Sequence, residues 1–189
     1  MPEVKVLIEG YAKKTRKGWT ASSTCTLIRD GKAIIIVDPG INRKMLMSRL
    51  RKAKIKPERV DYVLLTHYHP DHALNAALFP KAKLIDHSSV YDGDKGVDHN
   101  GTVPGTGIRI IPTPGHTRGH CSASVKTDKG TVVLSGDVFW FWDNENQSLD
   151  LERPDEFAGD IENLRASRRK LLQIADYIIP GHGGMMKVR

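Results

Sequence analysis

The sequence predicts an α/β protein (α+β in some schemes) whose mixed β-sheets are covered by helices on their outer faces. Three observations predict it. Strand-like and helix-like apolar periodicities alternate along the chain, with turn signals between them. Two pairs of strand-like runs are joined by tight turns, so the sheets cannot be purely parallel. Several longer stretches carry apolar residues on one helical face only.

In chain order, Thr24 to Arg29 and Ala33 to Val37 read as strands joined at Asp30-Gly31. A helix is expected from Asn42 to Ala53, where Leu46, Leu50 and Ala53 fall at helical spacing. The run from Val63 is strand-like and empties into a polar segment, and Asp71 to Leu78 reads as helical. From Asp86 to Gly107 the chain is rich in Gly and Asp and reads as one long loop. Ser122 to Thr127 and Thr131 to Leu134 form a second hairpin around Lys129-Gly130. The last helix is expected across Asp155 to Ala175, with Phe157, Ile161, Leu164, Leu171 and Ala175 as its apolar stripe.

A chain of 189 residues suits one domain spanning 1–189. Its 39% apolar and 27% charged residues are those of a soluble protein, and no apolar run approaches a membrane span. The start, MPEVKVLIEG, lacks the basic region and long apolar stretch of a secretory signal, so the expected location is the cytoplasm. Cys25 and Cys121 sit in no paired metal-ligand spacing and are expected to be reduced packing residues. A formal charge of +7 and a pI near 9.4 favour anionic partners. The cations cluster at Lys13, Lys14, Arg16 and Lys17 and from Arg43 to Arg59. A solvated helix face explains the second cluster better than a nucleic-acid footprint does.

The chemistry begins in VLLTHYHPDH, Val63 to His72. In an extended segment residues two apart point the same way, so His67 and His69 can address one metal ion while Tyr68 points away. Asp71 and His72 then open a helical stretch and can turn towards a second ion. The pattern H-x-H-x-D-H arises by chance in roughly one such sequence in a thousand. Three further residues stand at the mouths of strand-like runs beside glycines, which let backbone approach a crowded site: His116 in TPGHTRGH, Asp137 in VVLSGDVF and His182 in YIIPGHGG.

The order H-x-H-x-D-H, His, Asp, His, with Asp38 in VDPG, resembles the metallo-β-lactamase superfamily over nearly the whole chain. That resemblance implies a four-layer αββα sandwich with two mixed sheets and metals at one edge. It implies that His67, His69 and His116 hold a first ion, that Asp71, His72 and His182 hold a second, and that Asp137 bridges them. Asp38 would orient ligands without touching metal. A bridging aspartate is not used by the true β-lactamases of this fold, which points away from antibiotics. Only seven residues follow His182, which points away from glyoxalase II enzymes with their added helical domain. EGYA, STCTLI, LFP, GDVF and SRRKLLQIADYIIPGHG are similar to the metallo-β-lactamase domain-containing protein 1 group, with which nuclease activity on histone pre-mRNA is associated.

Such a ligand set suits two divalent ions, zinc first, with iron or manganese as alternatives. The expected activity is hydrolysis of an ester-type substrate such as a phosphodiester, RNA included, by a hydroxide held between the ions. Asp71 and Asp137 are the candidate catalytic carboxylates; Asp137 would fix the metal spacing and accept a hydrogen bond from the nucleophile. Two alternatives share these residues: a thioesterase or lactonase of the glyoxalase II-like branch, and a persulfide dioxygenase with one iron. By type, Tyr68, His87, His99 and His120 are candidate proton donors, and His120 is the most structural of them. Phe139, Trp140, Phe141 and Trp142 form either a pocket wall, where bases could stack, or a homodimer contact. The expected partner is an anionic or ester-type small molecule, with nucleic acid open and no membrane.

Overall fold

The two hairpins expected at Asp30-Gly31 and Lys129-Gly130 belong to two different sheets. A computed structural model describes all 189 residues. Its first sheet orders seven strands as β1 (Glu3–Ile8), β4 (Cys25–Asp30), β5 (Ala33–Val37), β6 (Tyr62–Leu64), β7 (Lys83–Ile85), β8 (Ser89–Asp92) and β9 (Lys95–Asp98). The second orders β10 (Arg109–Pro112), β11 (Cys121–Thr127), β12 (Gly130–Gly136), β13 (Tyr177–Pro180) and β14 (Met186–Lys187). Both are mixed: β5, β6 and β7 run parallel, as do β12 and β13, and the outer pairs are antiparallel. A separate hairpin, β2 (Tyr11–Thr15) with β3 (Gly18–Ser22), stands apart from both.

Period-two alternation assigns each strand residue to a layer. Ile28, Ile35, Val37 and Leu64 of the first sheet meet Ala123, Val125, Val132 and Leu134 of the second in one buried cluster. Their neighbours Leu27, Ile36 and Val63 turn the other way and pack on Leu46 and Leu50 of α1 (Arg43–Lys52). Likewise Val133 and Ile178 turn outward to Leu164 and Leu171 of α3 (Ile161–Ile174). The order of layers is therefore helix, sheet, sheet, helix, the αββα arrangement. Burying Leu46 or Leu50 completely makes truncation to Ala cost about 2–5 kcal/mol.

Three expected boundaries shift, each for a local reason. Only α2 (Pro70–Ala73) is α-helical in the stretch 71–78, and Leu74–Leu78 continues as a 3₁₀ turn. The carbonyls of Asp71 and His72 accept from Ser23 and Gly40, and Asn75 gives its N–H to Gly40, so the α ladder cannot continue. The last helix starts at Ile161, where the Asp160 carboxylate accepts from the Asn163 N–H and caps it. Phe157 accordingly lies outside the helix stripe. The long loop 86–107 contains the hairpin β8–β9, turned at Gly93 with φ +64°. Every residue of β9 is exposed, so that strand carries no apolar alternation to read.

Candidate metal centre

The candidate residues gather where strands end. Asp38 follows β5, the segment from Thr66 to His72 follows β6, Asp137 follows β12 and His182 follows β13, all at carboxyl ends of parallel strands. His116 and His120 come from the turn between β10 and β11. Crevices at carboxyl strand ends are where open α/β sheets bind ligands. Two glycines make the convergence possible. A Cβ on Gly181 would lie 1.8 Å from Asp137 Oδ1, and one on Gly136 would lie 2.6 Å from Thr66 Oγ1 and 2.8 Å from His120 Nε2. Asp38 itself adopts φ +46°, a strained conformation for a residue with a Cβ.

Two groups of donor atoms result. His67, His69, His116 and Asp137 form the first, and Asp71, His72 and His182 the second, with the donor atoms of each group within 4.8 Å of one another. Asp137 faces both. Its Oδ2 lies 3.4 Å from His116 Nε2 and 3.8 Å from His67 Nε2, while its Oδ1 lies 3.2 Å from His72 Nε2 and 3.9 Å from His182 Nε2. His182 Nε2 is also 3.2 Å from Asp71 Oδ2.

The far nitrogens of four rings are held by the protein. His72 Nδ1 donates to Asp38 Oδ2 at 2.8 Å, and His116 Nδ1 to Asp155 Oδ2 at 3.1 Å. His182 Nδ1 faces the carbonyls of Tyr11 and Ser22, and His67 Nδ1 faces the Thr66 hydroxyl. With Nδ1 protonated, His72, His116 and His182 each present an Nε2 lone pair to the centre, the tautomer assignment following from the carboxylate and carbonyl acceptors. Asp38 also accepts from the Thr66 N–H and hydroxyl, so it organises the strand end as well as the ring.

Electrostatics divides the histidines. Burial pushes His67 and His69 down, and for each a neighbouring ring, His72 or His116, lowers it further. Burial opposes charge on His72 too, but Asp137 and Asp38 outweigh it and hold its pKa well above the usual value. For His116, burial is outweighed by Asp155 and Asp137. Burial alone would raise Asp137, yet His72 and His182 hold it well below the usual carboxylate range.

These residues fit metal ions. His67 Nε2, His72 Nε2 and Asp137 Oδ1 are buried without a hydrogen-bond partner, which a folded protein seldom tolerates. His116 Nε2 and His69 Nδ1 approach to 3.1 Å across the first group. The donor set, five imidazoles and two carboxylates in two groups, has the chemistry to bind metal ions.

Other expected residues are settled by contact. His120 is fully structural: burial lowers its pKa to about 3, its Nε2 accepts the Asp137 N–H, and its Nδ1 meets Thr113. Tyr68 donates to Asp86 Oδ2 and His99 Nε2 meets the Asp86 carbonyl, so both turn to a neighbouring cluster. Beside the two groups opens a cavity of about 660 Å³, and none of Tyr68, His87, His99 or His120 lines it. Trp140, Trp142, Trp19 and Phe157 do. The FWFW segment thus alternates: Phe139 and Phe141 pack under α3, Trp140 and Trp142 face the cavity. All four are at most 7% exposed within one chain, which removes them as a surface contact. Sequence reasoning missed Asp155, 39 positions from the ring it holds, and missed Trp19, which arrives on the hairpin β2–β3.

The model of the metallo-beta-lactamase superfamily matches residues 18–94. A Xenopus laevis protein, metallo-beta-lactamase domain-containing protein 1, is 32% identical over 98% of this chain and 81% of its own length. An N-acyl homoserine lactonase of a Bacillus species is 28% identical over 68% of this chain and 56% of its own. Among solved structures, a metallo-beta-lactamase family protein of Thermus thermophilus superposes with a TM-score of 0.70 at 18% identity, covering 98% of this chain and 75% of that one.

Proposed function

Because the chain belongs to the metallo-β-lactamase superfamily of hydrolases, we propose that it hydrolyses phosphodiesters, nucleic acid strands among them, with two divalent ions, zinc first. The observation that carries the two-ion reading is the split of Asp137, one oxygen to each donor group. When bound, such ions supply an activated water and polarise the ester oxygen. The chain's own residues do the rest. His67, His69 and His116 would hold the first ion and Asp71, His72 and His182 the second, with Asp137 facing both and able to accept a hydrogen bond in the crevice. Trp140, Trp142 and Phe157 exclude water and offer ring faces to a flat group.

Charge supports a phosphodiester. The cavity is walled by the hairpin β2–β3 and by Ile41 and Asn42 at the start of α1. Both elements carry exposed cations, Lys13, Arg16 and Lys17 on one and Arg43, Lys44, Arg51 and Lys52 on the other, and these seven form no ion pair within the chain. These unpaired cations on the elements that wall the cavity would favour an anionic substrate. The apolar walls and the likeness to the lactonase favour a second reading, a lactone with an apolar acyl group. Buried free Cys25 and Cys121 support a reducing compartment such as the cytoplasm.

The test is turnover of bis-p-nitrophenyl phosphate, short RNA, a lactone and a thioester, with bound metal measured. The expected result is phosphodiester cleavage by protein holding near two ions per chain, abolished in a folded His67→Ala variant. Turnover of the lactone alone would replace the substrate reading, and a single iron with dioxygenase activity on a persulfide would replace the whole.

A further inference from the structure

We propose that Asp155 is a positioning residue that sets the ring orientation and tautomer of His116, an inference that rests on reading the site as a metal centre. The segment carrying Asp155 is laid along the His116 turn by backbone bonds, Gly159 N–H to the His116 carbonyl and Asp160 N–H to the Gly115 carbonyl. Its carboxylate side chain is fully buried there. Oδ2 accepts from His116 Nδ1 at 3.1 Å, and Oδ1 accepts the Phe157 N–H at 2.9 Å. One carboxylate therefore holds a ring of the first donor group and a residue of the cavity wall together.

The arrangement mirrors the second group. There Asp38 holds His72 by Nδ1 while His182 faces the neutral Tyr11 and Ser22 carbonyls, and in the first group His67 faces the neutral Thr66 hydroxyl. Each donor group thus has one carboxylate-backed histidine, and in the first that carboxylate is Asp155. A carboxylate behind an imidazole fixes its tautomer and makes its free nitrogen a stronger ligand, and losing such a partner costs about 10- to 100-fold in metal affinity.

The experiment compares wild type with Asp155→Ala and Asp155→Asn. In metal-free protein, long-range ¹H–¹⁵N correlations read each ring's tautomer. His116 is expected to lose its fixed Nδ1–H form in the Ala variant and to keep it in the Asn variant, whose amide oxygen still accepts. His182 is expected to be unchanged in both. In zinc-loaded protein, chelator competition is expected to show one of two ions released about 10- to 100-fold more readily in the Ala variant, and less so in the Asn variant. Unchanged His116 tautomer and unchanged zinc retention in Asp155→Ala would overturn the proposal; so would equal weakening of both ions alongside a lowered Tm. If the Ala variant does not fold, zinc retention at the wild-type level in Asp155→Asn would overturn it. A wild-type chain that retains no zinc refutes the metal reading instead, and the tautomer comparison still decides Asp155.

Discussion

Asp137 sends Oδ1 toward His72 and His182 and Oδ2 toward His67 and His116, so its charge is shared between the two donor groups. Replacing it by Asn keeps the size and halves that capacity, because the amide nitrogen cannot ligate a cation. The expected outcome for Asp137→Asn is loss of about one of two bound ions and a fall in kcat/KM of about 100-fold or more, read by metal analysis and steady-state kinetics. Activity within a few-fold of wild type would remove the bridging role. At this scale the sequence was most legible. His67, His69, Asp71 and His72 share one short segment, carried by the stretch after β6 and the first turn of α2. Asp155 was not legible. Its role depends on a loop folding back on a turn 39 positions away, and no local spacing encodes that contact.

Elements with a strong apolar pattern were read well: β4 and β5, buried on both faces, appear with boundaries within a residue, and α1 fills the expected stretch 42–53 with Asn42 and Ala53 as its caps. Elements lacking that pattern were not. The hairpin β2–β3 exposes most of its length, and its six-residue run from Lys13 to Gly18 is wholly exposed, so its strands resemble a charged loop in sequence. The hairpin nonetheless delivers Trp19, 64% exposed, to the cavity, 6.1 Å from Phe157. Since Trp19 packs little, Trp19→Ala should change folding stability by no more than about 0.5 kcal/mol. Ring stacking of the size seen for bases, about 1–3 kcal/mol, should instead raise KM for bis-p-nitrophenyl phosphate about 5- to 150-fold with kcat less affected. An unchanged KM would take the hairpin out of substrate binding.

Across the whole molecule, the two sheets are joined by their shared core and again by the donor groups, because the segments after β5 and β6 come from one sheet and those after β12 and β13 from the other. Ions held there would clasp the edge of the sandwich. Without them the folded state keeps His67 Nε2, His72 Nε2 and Asp137 Oδ1 buried and unpartnered, a cost the unfolded chain does not share. A ligand that binds only the folded chain adds stability of RT ln(1 + [L]/Kd), about 4 kcal/mol at a thousandfold excess over Kd. In a chain of this size one kcal/mol moves Tm by about 2–4 °C, so chelation is expected to lower Tm by about 8–16 °C. Zinc should restore it, and magnesium, which favours oxygen ligands, should not. Calorimetry of zinc-loaded and chelated protein reads the difference. A variant lacking the connection, Asp137→Asn, should show a smaller chelation shift than wild type, whereas an equal shift would mean that the ions, if bound, do not link the two halves through Asp137.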